Sequence, residues 1–129
     1  MLTPNVNLSG KTVLVTGAAG FIGSNLVCEL VRTVGNINII GLDSLNDYYD
    51  PAIKYYRLRE IEKLVSEYPE AKWCFIKGNI ADKSLIEQVF SDNRPSVVVN
   101  LAAQAGVRYS ITNPDAYIEA NIIGFYNIL

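Results

Sequence analysis

The feature that most constrains this chain is a five-residue run, Thr12-Val13-Leu14-Val15-Thr16, that passes straight into Gly17-x-x-Gly20-x-x-Gly23. Consecutive aliphatic and β-branched residues without polar alternation describe a strand covered on both faces. Beyond the glycines, Ile22, Leu26 and Leu30 recur at i+4 spacing with Val27 and Val31 beside them, which describes a helix. Gly35 supplies its C-cap. The chain therefore opens with a strand, a tight glycine turn and a helix.

The alternation then recurs. Ile37–Leu42 reads as a second strand, ending at Asp43, and the polar stretch 43–50 as a loop. Asp50-Pro51 has the N-cap and N1 chemistry of a second helix. Leu58, Ile61 and Val65 form its apolar face, and Lys54, Glu60, Lys63 and Glu67 are assigned to water. Lys72–Lys77 is a third strand, and Asp82 caps a third helix with Leu85/Val89 and Ile86/Phe90 pairs. Pro95 ends that unit, Ser96-Val97-Val98-Val99 opens a fourth strand, and Asn113-Pro114 starts a fourth helix. Strands that alternate with helices in this way pack as one parallel sheet with helices on both faces, an α/β doubly wound fold. The last helical stretch is still periodic at Phe125, Ile128 and Leu129, with no glycine or proline stop. The expectation is one incomplete domain over residues 1–129, the first part of a longer protein. Its fourth strand is then an unpaired valine-rich edge that favours self-association.

Composition removes several functions. Half the 129 residues are hydrophobic, enough for a core. The formal charge of -2, from 11 basic and 13 acidic residues, argues against nucleic acid as a partner. There is no histidine, which excludes histidine-based triads and histidine-ligated metals; no metal site is expected. Cys28 and Cys74 lack metal spacing and are expected as reduced, buried thiols. No apolar run reaches membrane length, and the stretch 1–10 is polar and uncharged, unlike a leader.

The glycine turn has a reading in chemistry. Phosphates of a dinucleotide need close approach to backbone N–H groups and gain from a helix N-terminus. In that reading Gly17 makes the tight turn, Gly20 admits the phosphate, and Gly23 lets helix and strand pack closely. A bare connecting turn is the competing reading. Asp43 separates the two: it stands 20 residues after Gly23 at the end of the second strand. A carboxylate there accepts both ribose hydroxyls and repels a 2′-phosphate, which favours NAD over NADP. A plain turn aspartate, with Ser44 and Asn46 beside it, is its alternative.

The run Thr16-Gly17-Ala18-Ala19-Gly20-Phe21-Ile22-Gly23-Ser24 resembles the opening of the extended short-chain dehydrogenases, which include the nucleotide-sugar epimerases and dehydratases. Two more stretches, Asp43-Ser44-Leu45-Asn46-Asp47-Tyr48-Tyr49-Asp50-Pro51 and Leu101-Ala102-Ala103-Gln104-Ala105-Gly106-Val107-Arg108-Tyr109-Ser110, are similar to UDP-glucuronate 4-epimerases. The resemblance runs from Lys11 to Leu129. It implies a Rossmann-type sheet of order 3-2-1-4, stopped after about four strands, with NAD as cofactor. It implies cofactor contacts at Gly17, Gly20, Phe21, Ile22, Gly23, Asp43, Asn46 and Ile80. Asn79 falls where the family usually has an aspartate near adenine. Leu101, Ala102 and Ala103 fall beside the pyrophosphate and nicotinamide ribose, and Asn121 near the cofactor and catalytic centre. The small side chains of Ala102 and Ala103 serve equally for packing, and Asn121 serves equally as a polar helix residue. Asn100 stands where a histidine is common. Arg108 is either a bidentate anion ligand or a solvated loop residue.

The reaction implied is reversible oxidation of a nucleotide sugar at C4 by NAD. Its base is a tyrosine phenolate four residues before a lysine on one helix. The one such spacing here, Tyr68 to Lys72, falls between the second helix and the third strand and is rejected. No catalytic residue is therefore assigned, and the chain is expected to be inactive alone. The whole protein is expected to be a cytoplasmic homo-oligomer acting on a nucleotide sugar, without membrane or nucleic acid. Alternatives are a 4,6-dehydratase or decarboxylase of the same family, a non-catalytic NAD sensor, or a scaffold without ligand.

Overall fold

The computed structural model describes residues 5–129, so residues 1–4 of the N-terminal stretch considered above lie outside the described residues. Four strands form one sheet: β1 (Thr12–Thr16), β2 (Asn38–Asp43), β3 (Lys72–Lys77) and β4 (Val97–Asn100). The order is β3-β2-β1-β4, and every pairing is parallel. Helices α1 (Phe21–Val34), α2 (Pro51–Val65) and α3 (Lys83–Asn93) are the crossovers.

The capping chemistry forms as the residues dictate. Asp50 accepts the Ala52 amide at 2.9 Å, with Pro51 at the first helical position. Asp82 accepts the Leu85 amide at 3.1 Å. Gly35 adopts φ +72 and donates to the Val31 carbonyl. Helix α1 is the exception: its N-cap, Gly20, makes no side-chain cap, so its first amide N–H groups stay free to donate.

Alternation along β1 divides the core. Val13 and Val15 pack with Val27, Val31, Ile39 and Ile61 on the α1–α2 face. Leu14 packs with Ile40, Leu42, Ile86 and Val89 on the α3 face. Each side chain of this size buried completely stabilises the fold by about 2 kcal/mol.

The structure shifts β2 by one residue from the apolar run, because pairing starts at Thr12↔Asn38. The fourth helix is more broken than its periodicity predicts. One turn, α4 (Tyr109–Thr112), precedes it, and Asn113 then caps α5 (Pro114–Tyr117). The chain runs on as a π-helical segment, Ile118–Gly124, and then α6 (Phe125–Ile128). Both cysteines are free, but neither is fully buried: Cys28 is half-buried and Cys74 is exposed. Cys74 belongs to β3, an edge strand of the sheet none of whose residues is fully buried. Tyr68 and Lys72 are joined by a turn in which Ala71 donates to the Tyr68 carbonyl, and Lys72 begins β3. No helix among the described residues is long and apolar enough to cross a membrane.

Candidate cofactor site

The C-terminal ends of the four parallel strands point to one side, and a cavity of about 680 Å³ opens there. In open parallel sheets this is the position in which ligands bind.

The glycine turn forms the floor. Gly17 has φ +68, and a Cβ there would stand 2.9 Å from the Ala102 nitrogen. Its lack of a side chain therefore serves two needs, the left-handed turn and the close passage of the chain leaving β4. A Cβ on Gly23 would collide with the Gly17 carbonyl oxygen, so α1 can start where it does only with glycine. Gly20 differs: only the Gly17 carbonyl lies near its added Cβ, at 3.1 Å, and the residue lines the cavity. Gly17 and Gly23 are thus required by close backbone approach, whereas Gly20 leaves the floor open to the cavity.

Thr16, which the glycine-turn reading passes over, ties this floor to β4. It is fully buried. Its hydroxyl donates to the Asn100 side-chain oxygen and accepts the Leu101 and Ala102 amides, each at 3.1 Å. Asn100 is thereby an acceptor for Thr16. A threonine at the end of a buried strand looks like any β-branched core residue in the sequence; only the position of its hydroxyl beside β4 reveals the tie.

Asp43 forms the opposite wall and is 5% exposed. Its Oδ2 accepts the Ala19 amide of the glycine turn at 3.0 Å. Its Oδ1 accepts the Leu45 amide at 2.9 Å and the Lys54 ammonium at 3.1 Å. This carboxylate therefore forms the turn that its alternative reading describes and also lines the cavity. Lys54 departs from expectation: it does not face water but folds inward to Asp43. Arg57, one turn later on α2, donates to the Ala19 carbonyl at 3.2 Å and lies 5.9 Å from the Phe21 ring centre. Helix spacing hides both residues, since i+3 places them beside solvent-facing positions.

Ten of the residues expected at the cofactor line the cavity: Gly17, Gly20, Phe21, Asp43, Asn46, Asn79, Ile80, Leu101, Ala102 and Ala103. Three do not. Gly23 is buried beneath the turn, and Ile22 is 68% exposed away from the cavity. Asn121 belongs to the π-helical segment and is spent on the chain after β4. It accepts the Gln104 amide at 2.8 Å and donates to the Gln104 carbonyl at 3.2 Å. Asn79 accepts the Ala81 amide at 2.9 Å, which leaves its carboxamide oxygen one free lone pair. Arg108 is exposed and outside the lining.

Tyrosines join the two rims. Tyr48 lies 4.9 Å, centre to centre, from Tyr109, and its hydroxyl sits where a Cβ on Gly106 would be. Tyr117 donates its hydroxyl to the Ala105 and Gly106 carbonyls. Desolvation, then the charge of Tyr48, pushes the Tyr117 phenol above the usual tyrosine range. Among the described residues no group of three or more Cys, Asp or Glu could hold a metal ion.

The site accommodates a dinucleotide: an uncapped helix N-terminus behind an open glycine, small side chains at the β4 exit, and a carboxylate at the end of β2.

Comparison with known proteins agrees. The chain is 49% identical over 117 residues to Protein CapI of Staphylococcus aureus, covering 91% of this chain and 32% of that protein. It is 42% identical over 121 residues to UDP-glucuronate 4-epimerase 4 of Arabidopsis thaliana, covering 94% of this chain and 26% of that protein. The UDP-glucose 4-epimerase of Thermus thermophilus, solved in complex with NAD, superposes with a TM-score of 0.66 at 31% identity. That likeness covers 91% of this chain and 32% of the other. The chain thus spans about a third or less of the length of these relatives. Residues 14–129 match the profile of the family described as GDP-mannose 4,6 dehydratase. A match that runs unbroken from within β1 to the last residue means that the chain belongs to the family of NAD-dependent nucleotide-sugar epimerases and dehydratases.

Proposed function

We propose that this chain is the N-terminal, NAD-binding part of a nucleotide-sugar 4-epimerase of the UDP-glucuronate type. The observation that carries the reading is the Asp43 carboxylate, bonded to the Ala19 amide of the glycine turn and facing the same cavity as Gly20. That bond fixes the ribose-accepting group relative to the phosphate-accepting turn. The adenosine ribose falls at Asp43, the pyrophosphate at Gly20 and the first amides of α1, and the nicotinamide half toward Ala102 and Ala103. NAD, when bound, supplies a reversible hydride acceptor for the sugar C4. This chain's residues bind and orient it.

The epimerase reading over its relatives rests on the likeness to the plant UDP-glucuronate 4-epimerase. A 4,6-dehydratase is the second reading, favoured by the family's description. In both, the phenolate–lysine pair lies outside this chain. Tyr68 and Lys72 are no substitute, because Lys72 starts β3 at the end of the sheet opposite the cavity, and neither residue lines it. In this reading the whole protein works in the cytoplasm as a homo-oligomer.

Calorimetric titration of the chain with NAD and with NADP tests the proposal. NAD is expected to bind and NADP to bind more weakly, with no turnover of UDP-glucuronate. A chain that is folded by circular dichroism yet binds neither nucleotide, or that turns over the sugar, overturns it.

A further inference from the structure

We propose that Lys54 is a specificity-determining residue of this site, which sets jointly with Asp43 how strongly a phosphate on the adenosine ribose is rejected. The inference rests on the NAD reading above. Lys54 lies one turn into α2, and its side chain reaches back into the cavity. The ammonium is 3.1 Å from Asp43 Oδ1, and the two side chains are only 14% and 5% exposed. A pair so withdrawn from water is screened far less than a surface ion pair.

The carboxylate already holds three donors: the Ala19 amide on Oδ2, and the Leu45 amide and Lys54 on Oδ1. A carboxylate offers about four acceptor sites. One site remains, on Oδ2, whereas two ribose hydroxyls need two. The amides belong to the glycine turn and the loop after β2, so neither leaves without moving the backbone. Lysine, on a flexible four-carbon stem, is the donor that can yield. Once a hydroxyl takes its place, the ammonium remains inside the cavity, beside the ribose.

Charge follows from the same geometry. Asp43 alone would present a full negative charge to a 2′-phosphate. The pair presents none, and its ammonium is itself a counter-charge for phosphate. The other cation of the cavity wall, Arg57, is committed to the Ala19 carbonyl and the Phe21 ring. The remaining acids of the lining are Asp50, engaged with the Ala52 amide, and Glu119, which accepts from Asn79. Lys54 is therefore the cation that determines how far Asp43 is felt, and it moderates the discrimination that Asp43 would impose alone.

The test is the ratio of dissociation constants, NADP over NAD, measured by titration calorimetry on the wild-type chain and on Lys54→Met and Lys54→Arg. Removing the charge is expected to raise the ratio by about tenfold, from the lost attraction to phosphate at short range. Lys54→Arg, which keeps the charge, is expected to stay within about twofold of wild type on the same grounds. Lys54→Gln is read in the same way if circular dichroism shows the Met variant unfolded. A ratio that falls or stays unchanged on loss of the charge, with NAD still bound, overturns this inference alone. Failure of the wild-type chain to bind NAD overturns the proposed function as well.

Discussion

The ends of β1 and β2 and the stretch after β4 both border the cavity, yet they are built differently. In the first region Val13, Leu14, Val15, Thr16, Ile39 and Leu42 are all at most 1% exposed. Burial holds that wall, and the polar groups at its top, the Thr16 hydroxyl and the Asp43 carboxylate, are locked by backbone amides. In the second region β4 is only half-buried, and Val107, Ile111 and Ile122 are 86%, 81% and 58% exposed. Hydrogen bonds set that wall instead: Asn121 on Gln104, Tyr117 on the 105–106 carbonyls, and Asn127 on the Ile80 carbonyl. One wall of the site is thus shaped by packing, and the other by side chains that bond to the main chain.

This contrast can be broken by mutation. Leu14→Ala is expected to destabilise the chain by about 3 kcal/mol, the cost of a large-to-small change in a filled core. Ile122→Ala, in the exposed wall, is expected to cost less than about 0.5 kcal/mol. Denaturant titration of both checks this, and equal losses would mean that the two walls are not differently built. A smaller effect is expected at the seam. Thr16→Val keeps the shape, and the Leu101 amide keeps the Thr16 carbonyl, but the Ala102 amide and the Asn100 oxygen lose their partner, at about 1–3 kcal/mol. Hydrogen exchange should then quicken at Ala102 before it does in β2. Uniform quickening would remove Thr16 as the tie between the walls.

The smallest effect concerns the thiols. Cys74, exposed on β3, should react with a disulfide reagent before Cys28 on α1. Burial pushes the Cys28 thiol up, against a lowering by Arg32, so its reactive thiolate forms only at higher pH than for an ordinary cysteine. Labelling at a series of pH values, read by mass spectrometry, checks the order. Cys28 labelled first at neutral pH would show that the α1 face opens more easily than the packing implies.

Much of the fold was legible because its signals are local. The Thr12–Thr16 run, the Asp50-Pro51 and Asp82 caps and the positive-φ Gly35 act over a few residues, and periodicity displays them directly. The boundary of β2 was less legible, since pairing with Thr12 and not the apolar run decides where the ladder starts. The π-helical segment was not legible at all. In it the buried Gly124 meets Ile80, whose Cγ1 leaves no room for a Cβ, and that contact belongs to no single stretch of sequence.

The same division runs through the site. Glycine spacing and the acid after the second strand were enough, by themselves, to predict a dinucleotide turn, because backbone freedom and helix dipoles depend on neighbours in the chain. Tertiary structure alone decided what each polar atom does: that Lys54 leaves water for Asp43, that Thr16 joins two strands 84 residues apart, and that Asn121 is committed to Gln104. The physical reason is distance along the chain. A hydrogen bond needs partners within about 3 Å of each other, and for these residues only the closed sheet brings the partners together.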